Sequence, residues 1–258
     1  MKTGIIQGRL SRPDEGFQDC PKNWKREFDL LGPLGLNHIE WIVTKESFGD
    51  NPVFTEDVSG YPVHSICADN MVDKRFVERN YFINNMTPIC HAATRNNVKN
   101  VTIPLLEDSD VSDDDVRQQF CVLVKELSNK FDSINFSIEA ELDPDKLEEI
   151  LSLGENFTVT YDTGNITSCR LDHEKYIHRF GDRIHNVHLK DRTFDAQTVA
   201  PMTGDTDFRT IFKNLKKINY GGVFTLQTAR AQEGFEPETI ENHKKLFQEL
   251  YNERARYV

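Results

Sequence analysis

Four side chains close separate apolar runs of this sequence and carry its most evident chemistry: Glu139, Asp162, His188 and Gln227. Alternate residues of a strand share a face. Ser137 therefore sides with Glu139, and Thr158 and Thr160 with Asp162. By the same parity Asn186 and Lys190 side with His188, and Thr225 with Gln227. The other parity is apolar, with Phe136, Ile138, Val159, Tyr161, Val187, Leu189, Phe224 and Leu226 suited to packing under helices. Two carboxylates, an imidazole and an amide oxygen at matched depth form a mixed donor set for a divalent metal ion such as Mn, Mg, Co or Zn. A polar mouth without metal is the alternative that the same pattern allows.

The elements that would position these groups alternate along the chain. Strands are predicted at Thr3 to Gln7, His38 to Val43, Val63 to Ala68, Asn100 to Ile103, Asn135 to Glu139, Thr158 to Asp162, Ile184 to Leu189 and Val223 to Gln227. Helices are predicted at Lys22 to Leu34, Ser112 to Lys130, Pro144 to Leu153, Asp172 to Phe180, Asp207 to Lys217 and Pro237 to Tyr251. Asp143-Pro144 pairs a cap with a first-turn proline, and Ser112 precedes three Asp residues. Lys74 to Arg95 also has a helical pattern, which Pro88 should kink or split. Lys45 to Gly60 should hold little regular structure. Eight strand–helix units over 258 residues predict an α/β fold, a single (β/α)8 TIM barrel spanning 1–258, with its site at the carboxyl ends of the strands. An open doubly wound sheet would carry a Gly-rich phosphate turn after its first strand, and Gly4-Ile5-Ile6-Gln7-Gly8 lacks one.

Composition narrows the function. A net charge of −11, from 31 basic and 42 acidic residues, argues against binding nucleic acid or an anionic membrane surface. The five cysteines are scattered without a Cys-x-x-Cys pair, which fits a reducing compartment better than a disulfide framework. Gly8-Arg9 follows too soon after Met1 for a signal peptide, and no apolar run is of spanning length. A cytoplasmic location is expected.

The runs Ser137-Ile138-Glu139, Tyr161-Asp162-Thr163-Gly164-Asn165 and Val187-His188-Leu189-Lys190-Asp191 resemble the xylose isomerase-like TIM-barrel superfamily of sugar phosphate isomerases and epimerases. Gly204-Asp205 through Phe208, Ile211-Phe212 and Tyr220-Gly221-Gly222 extend the resemblance over nearly the whole chain. It implies a divalent metal held by Glu139, Asp162 and His188. The fourth ligand of such proteins is usually Glu, and here Gln227 stands in its place. A Gln carbonyl can coordinate a cation but adds no charge and cannot serve as a base. Epimerisation by two metal-bound carboxylates would thus lack one of them. Isomerisation through a cis-enediol needs only Glu139 as base, with Lys190 stabilising charge. The substrate implied is a small sugar, sugar phosphate or polyol. A dehydratase of the inosose type and a noncatalytic carbohydrate-binding relative are the alternatives, and self-association into a homo-oligomer is left open.

The remaining candidates are substrate contacts: Gln7 and Arg9 at the first strand end, Glu40 or, in the other register, Trp41 at the second, His64 on the third, and Asn165 beyond Asp162. Asp191 closes the His-Leu-Lys-Asp motif, and Arg9, Arg192 and Arg230 could gather around a phosphate or carboxylate.

Overall fold

A computed structural model describes residues 1–12 and 20–253. Eight parallel strands close into a barrel in the order β1-β10-β7-β6-β5-β4-β3-β2. They are β1 (Lys2–Ile6), β2 (Ile39–Ile42), β3 (Val63–Cys67), β4 (Asn100–Leu105), β5 (Asn135–Ala140), β6 (Phe157–Asp162), β7 (Ile184–Leu189) and β10 (Val223–Leu226). The alternation read from the sequence is thus a (β/α)8 barrel. Helices α1 (Trp24–Leu34), α2 (Pro52–Thr55), α3 (Arg79–Arg95), α4 (Asp114–Lys130), α5 (Pro144–Leu151), α6 (Thr163–Ser168), α7 (His173–Phe180), α8 (Phe208–Lys217) and α9 (Glu236–Asn252) intervene or follow.

Local chemistry explains where elements stop. Asp113, rather than Ser112, caps α4, because its carboxylate accepts the backbone N–H groups of Asp115 and Val116. Asp143 caps α5 as predicted, with Pro144 in its first turn. Pro88 does not split α3: buried Phe82, Met86, Ile89, Cys90 and Ala93 hold the helix through the bond that proline forfeits. The segment from Lys45 to Gly60 contains the single turn α2, capped by Asn51. Several short elements have no counterpart in the sequence pattern. Helix α6 starts at Thr163, and an antiparallel ribbon pairs β8 (Asp191–Arg192) with β9 (Thr198–Val199).

Inside the barrel, two strands carry an extra residue. Ile39 and Glu40 of β2 pair with Val63 and Ser65, leaving His64 as a bulge. Val159 and Thr160 of β6 pair with Ile184 and Asn186, leaving His185 as another. A bulge re-aims its side chain. His64 and His185 stack with ring centroids 5.0 Å apart, and His38 lies 4.9 Å from His64. Gly4 makes the room, since a Cβ there would sit 2.3 Å from the His38 ring. The barrel's amino end is therefore plugged by three imidazoles.

Burial, then the neighbouring imidazole, depresses His38 to about 3 and His64 to about 4. The unfolded chain binds their protons first, so their contribution is present above pH 6.5 and lost as pH falls toward 4. Between pH 7 and pH 4, His64 alone should cost on the order of 3 kcal/mol of stability. Thermal unfolding of His64→Gln across this range should show a shallower pH slope than the parent; equal slopes would refute the assignment.

Candidate functional site

Interior parity sets the walls of the mouth at the carboxyl end. On one side Ile6, Ile42 and Cys67 of β1, β2 and β3 form a small apolar collar. Facing it, Glu139, Asp162 and His188 end β5, β6 and β7. Each of the three offers a ligand atom, all within 4.8 Å of one another. Above them opens a cavity of about 370 Å³ lined by Glu139, Asn165, Lys190, Arg192 and Gln227, and also by Lys45, Glu46, Asp69 and Glu107.

The histidine is held from below. His188 Nε2 lies 2.7 Å from Glu40 Oε2, the same oxygen that accepts the Asn186 amide at 2.8 Å. Thr102 donates to the other Glu40 oxygen at 2.7 Å, and Asn186 in turn accepts from Thr225 at 2.9 Å. Burial would raise the Glu40 carboxyl, but His188, by charge and hydrogen bond, and Thr102 outweigh it and bring it down to about 2. Burial would lower the His188 imidazole, but Glu40 and Glu139 hold it well above its ordinary value. With Nε2 committed to Glu40, Nδ1 points at Glu139 Oε2 (3.6 Å) and Asp162 Oδ2 (3.9 Å).

Among the described residues, that Nδ1 is buried without a hydrogen-bond partner, as is the Gln227 side-chain oxygen. Buried polar atoms are ordinarily satisfied. An orphaned imidazole nitrogen facing two carboxylates, with its far nitrogen fixed by a third, is a donor set suited to a divalent cation. The residues present fit such an ion. Replacement of Gln227 by Glu adds a negative charge at this wall, so Gln227→Glu should tighten Mn²⁺ binding by about tenfold. Unchanged affinity by titration calorimetry would remove position 227 from the ion's surroundings.

Helix α6 contributes the next layer. The Asp162 carboxylate caps it by accepting the Asn165 backbone N–H, which turns the Asn165 side chain back into the mouth. The Asn165 amide donates to Glu139 Oε1 at 3.2 Å and accepts from Lys190 Nζ at 3.3 Å. Lys190 also donates to Asp162 Oδ2 at 2.9 Å. Gly164 is required here because a Cβ would lie 2.9 Å from the Lys190 chain. Arg192 reaches the cavity while bonded to Glu141 at 2.8 Å.

Other predicted contacts lie elsewhere. Glu40 is fully buried beneath His188, not at the rim. His64 belongs to the imidazole plug. Gln7 has the opposite parity to Ile6, and its carbonyl accepts the Ile42 backbone N–H at 3.2 Å. Asp191 is buried and accepts the backbone N–H groups of Thr203, Gly204 and Thr206, organising that loop. Arg9 donates to the Thr228 carbonyl and Arg230 to that of Ser11. Those two guanidiniums neighbour buried Glu27, so Arg192 does not join them around one anion. The sequence reading missed Asp69, which stands one residue beyond the predicted end of the third strand.

The sequence matches the family described as xylose isomerase-like TIM barrel over residues 48–250. No curated protein sequence matches the chain. Among solved structures, the fold is similar to the IOLI protein with a bound zinc atom (TM-score 0.76, 15% identity, 100% of both chains covered). It is also similar to an L-ribulose 3-epimerase (TM-score 0.73, 11% identity, 96% of this chain and 94% of that one). A third is D-allulose 3-epimerase from Methylomonas sp. in complex with D-allulose (TM-score 0.72, 14% identity, 97% of each chain). With most of its length matched, and with the closed parallel barrel, the chain belongs to the xylose isomerase-like TIM barrel family.

Proposed function

We propose that the protein is a divalent-metal-dependent isomerase that interconverts an uncharged ketose and its aldose through an enediol. The observation carrying this reading is the orphaned His188 Nδ1 between Glu139 and Asp162 at the base of the cavity. A divalent ion held by Glu139, Asp162 and His188, with the Gln227 oxygen adjoining, would supply Lewis acidity toward a sugar carbonyl.

The chain's own groups do the rest. Glu139 keeps Oε2 on the His188 side while Asn165 holds Oε1, so the carboxylate is oriented as a base toward the cavity. Lys190, anchored on Asp162, carries a positive charge to the wall where negative charge develops on the sugar oxygens. Asn165 bridges the two, donating to Glu139 and accepting from Lys190. Gln227 leaves the β10 wall without a carboxylate, which disfavours epimerisation by paired metal-bound bases and suits proton transfer by one.

Charge argues for a neutral substrate. The cations lining the cavity already pair with carboxylates: Lys45 with Asp73 at 3.1 Å, Lys190 with Asp162 at 2.9 Å and Arg192 with Glu141 at 2.8 Å. Glu46, Glu107 and Glu139 line the same space, so a phosphate would meet surplus negative charge.

The test is proton exchange. The Mn²⁺-supplied protein is incubated in D₂O with D-fructose, D-tagatose and D-allulose, and deuterium entering carbon is followed by NMR. Incorporation that stops on chelation is the expected result, and its absence with all three sugars would overturn the reading.

A further inference from the structure

We infer that Asp69 is a second acid–base group of this mouth, moving the oxygen-bound proton of the sugar while Glu139 moves the carbon-bound one. The inference rests on the isomerase reading above.

Asp69 opens a 3-10 turn, Asp69–Met71, directly after β3 and lines the same cavity as Glu139, Lys190 and Gln227. Its carboxyl makes no hydrogen bond or ion pair among the described residues. The nearest cation on this wall, Lys45, is engaged by Asp73. A ligand in this space is indicated independently, because among the described residues the buried Gln227 oxygen has no hydrogen-bond partner, and Gln227 lines this cavity.

Burial first, and then the charges of Glu139 on β5, Glu46 after β2 and Glu107 after β4, raise the Asp69 carboxyl to about 6, opposed by Lys45. A group that titrates there gives and takes protons near neutrality. Asp69 lies in the turn that follows β3 and Glu139 on β5, and the barrel order places β4 between those strands. Both carboxyls line the one cavity, with Glu139 acting at a carbon of the ligand and Asp69 at the adjacent oxygen.

The proton inventory then closes. From the ketose, Glu139 takes the C1 proton while protonated Asp69 gives its proton to the carbonyl oxygen at C2, forming the enediol. Protonated Glu139 returns its proton to C2, and the Asp69 carboxylate takes the proton from the C1 hydroxyl. The aldose forms, and both groups regain their starting states.

The experiment compares parent, Asp69→Asn, Asp69→Glu and Glu139→Gln as full chains supplied with Mn²⁺, on the same three ketoses. Ketose–aldose conversion and carbon deuteration are measured across pH. Asp69→Asn should bind Mn²⁺ as the parent does yet convert sugar about 100-fold more slowly, losing the pH limb near 6. Asp69→Glu should restore part of the rate and a pH limb. If Asp69→Asn retains the parent's rate and pH limb, Asp69 is not an acid–base group, although the isomerase reading stands. If Mn²⁺ affinity falls with the rate and Asp69→Glu recovers neither, the residue is structural and the inference is overturned. A parent that exchanges no carbon-bound proton overturns the isomerase reading and this role together.

Discussion

Glu139→Gln should lose at least about 1,000-fold in carbon deuteration from D₂O, because the amide keeps the shape of the base and removes its proton-accepting capacity. The surroundings favour a clean substitution. The Asn165 amide donates to one Glu139 oxygen, and a Gln carbonyl accepts the same bond. His188 Nδ1 at 3.6 Å loses one of the two carboxylates it faces, so weaker Mn²⁺ binding should accompany the catalytic loss. The two effects separate at saturating Mn²⁺, where the deficit in exchange should persist. Exchange within tenfold of the parent at saturation would place the base elsewhere in the mouth.

Glu40→Gln should weaken Mn²⁺ binding by about 10- to 100-fold although the residue never reaches the cavity. Glu40 fixes which histidine nitrogen is free. Its carboxylate takes His188 Nε2 at 2.7 Å and leaves Nδ1 for the mouth, and its charge strengthens the ring as a donor. The substitution removes a fully buried charge from beneath a buried imidazole, and removal of one partner of such a pair costs about 3–5 kcal/mol. Titration calorimetry and thermal unfolding report the two effects. Parent-like affinity in a folded Glu40→Gln protein would show that the Glu40 contact does not tune the histidine.

Much of this centre is legible from alternation alone. Glu139, Asp162, His188 and Gln227 close successive strands with the same parity, and closing the sheet brings that parity inward. Alternation fails where the strands themselves do. His64 and His185 each occupy a bulge, so counting by twos assigns them the wrong surroundings, and no local signal in Val63-His64-Ser65 marks the extra residue. Glu40 has the right parity but the wrong height: strand stagger buries it one layer below the ligands, where it meets Asn186 and Thr102. Asp191 and Arg192 were read together, yet Asp191 turns to the backbone of Thr203 through Thr206 while Arg192 turns to the cavity. Their ribbon pairs Asp191 with Val199 and Arg192 with Thr198, a local hairpin without strand alternation of its own. Asp69 lies just past the end of β3, whereas Glu139, Asp162 and His188 lie within their strands. Its importance emerges only when Glu46 and Glu107, from other loops, arrive beside it.

A bound divalent ion is central to the proposed chemistry. Titration calorimetry of the chelator-treated protein with Mn²⁺ and Zn²⁺, run beside Asp162→Asn, tests it most directly. The predicted result is one ion per chain for the parent, with affinity sharply reduced in Asp162→Asn. No uptake of either ion by the parent, or equal uptake by Asp162→Asn, would contradict a metal centre built on Glu139, Asp162 and His188.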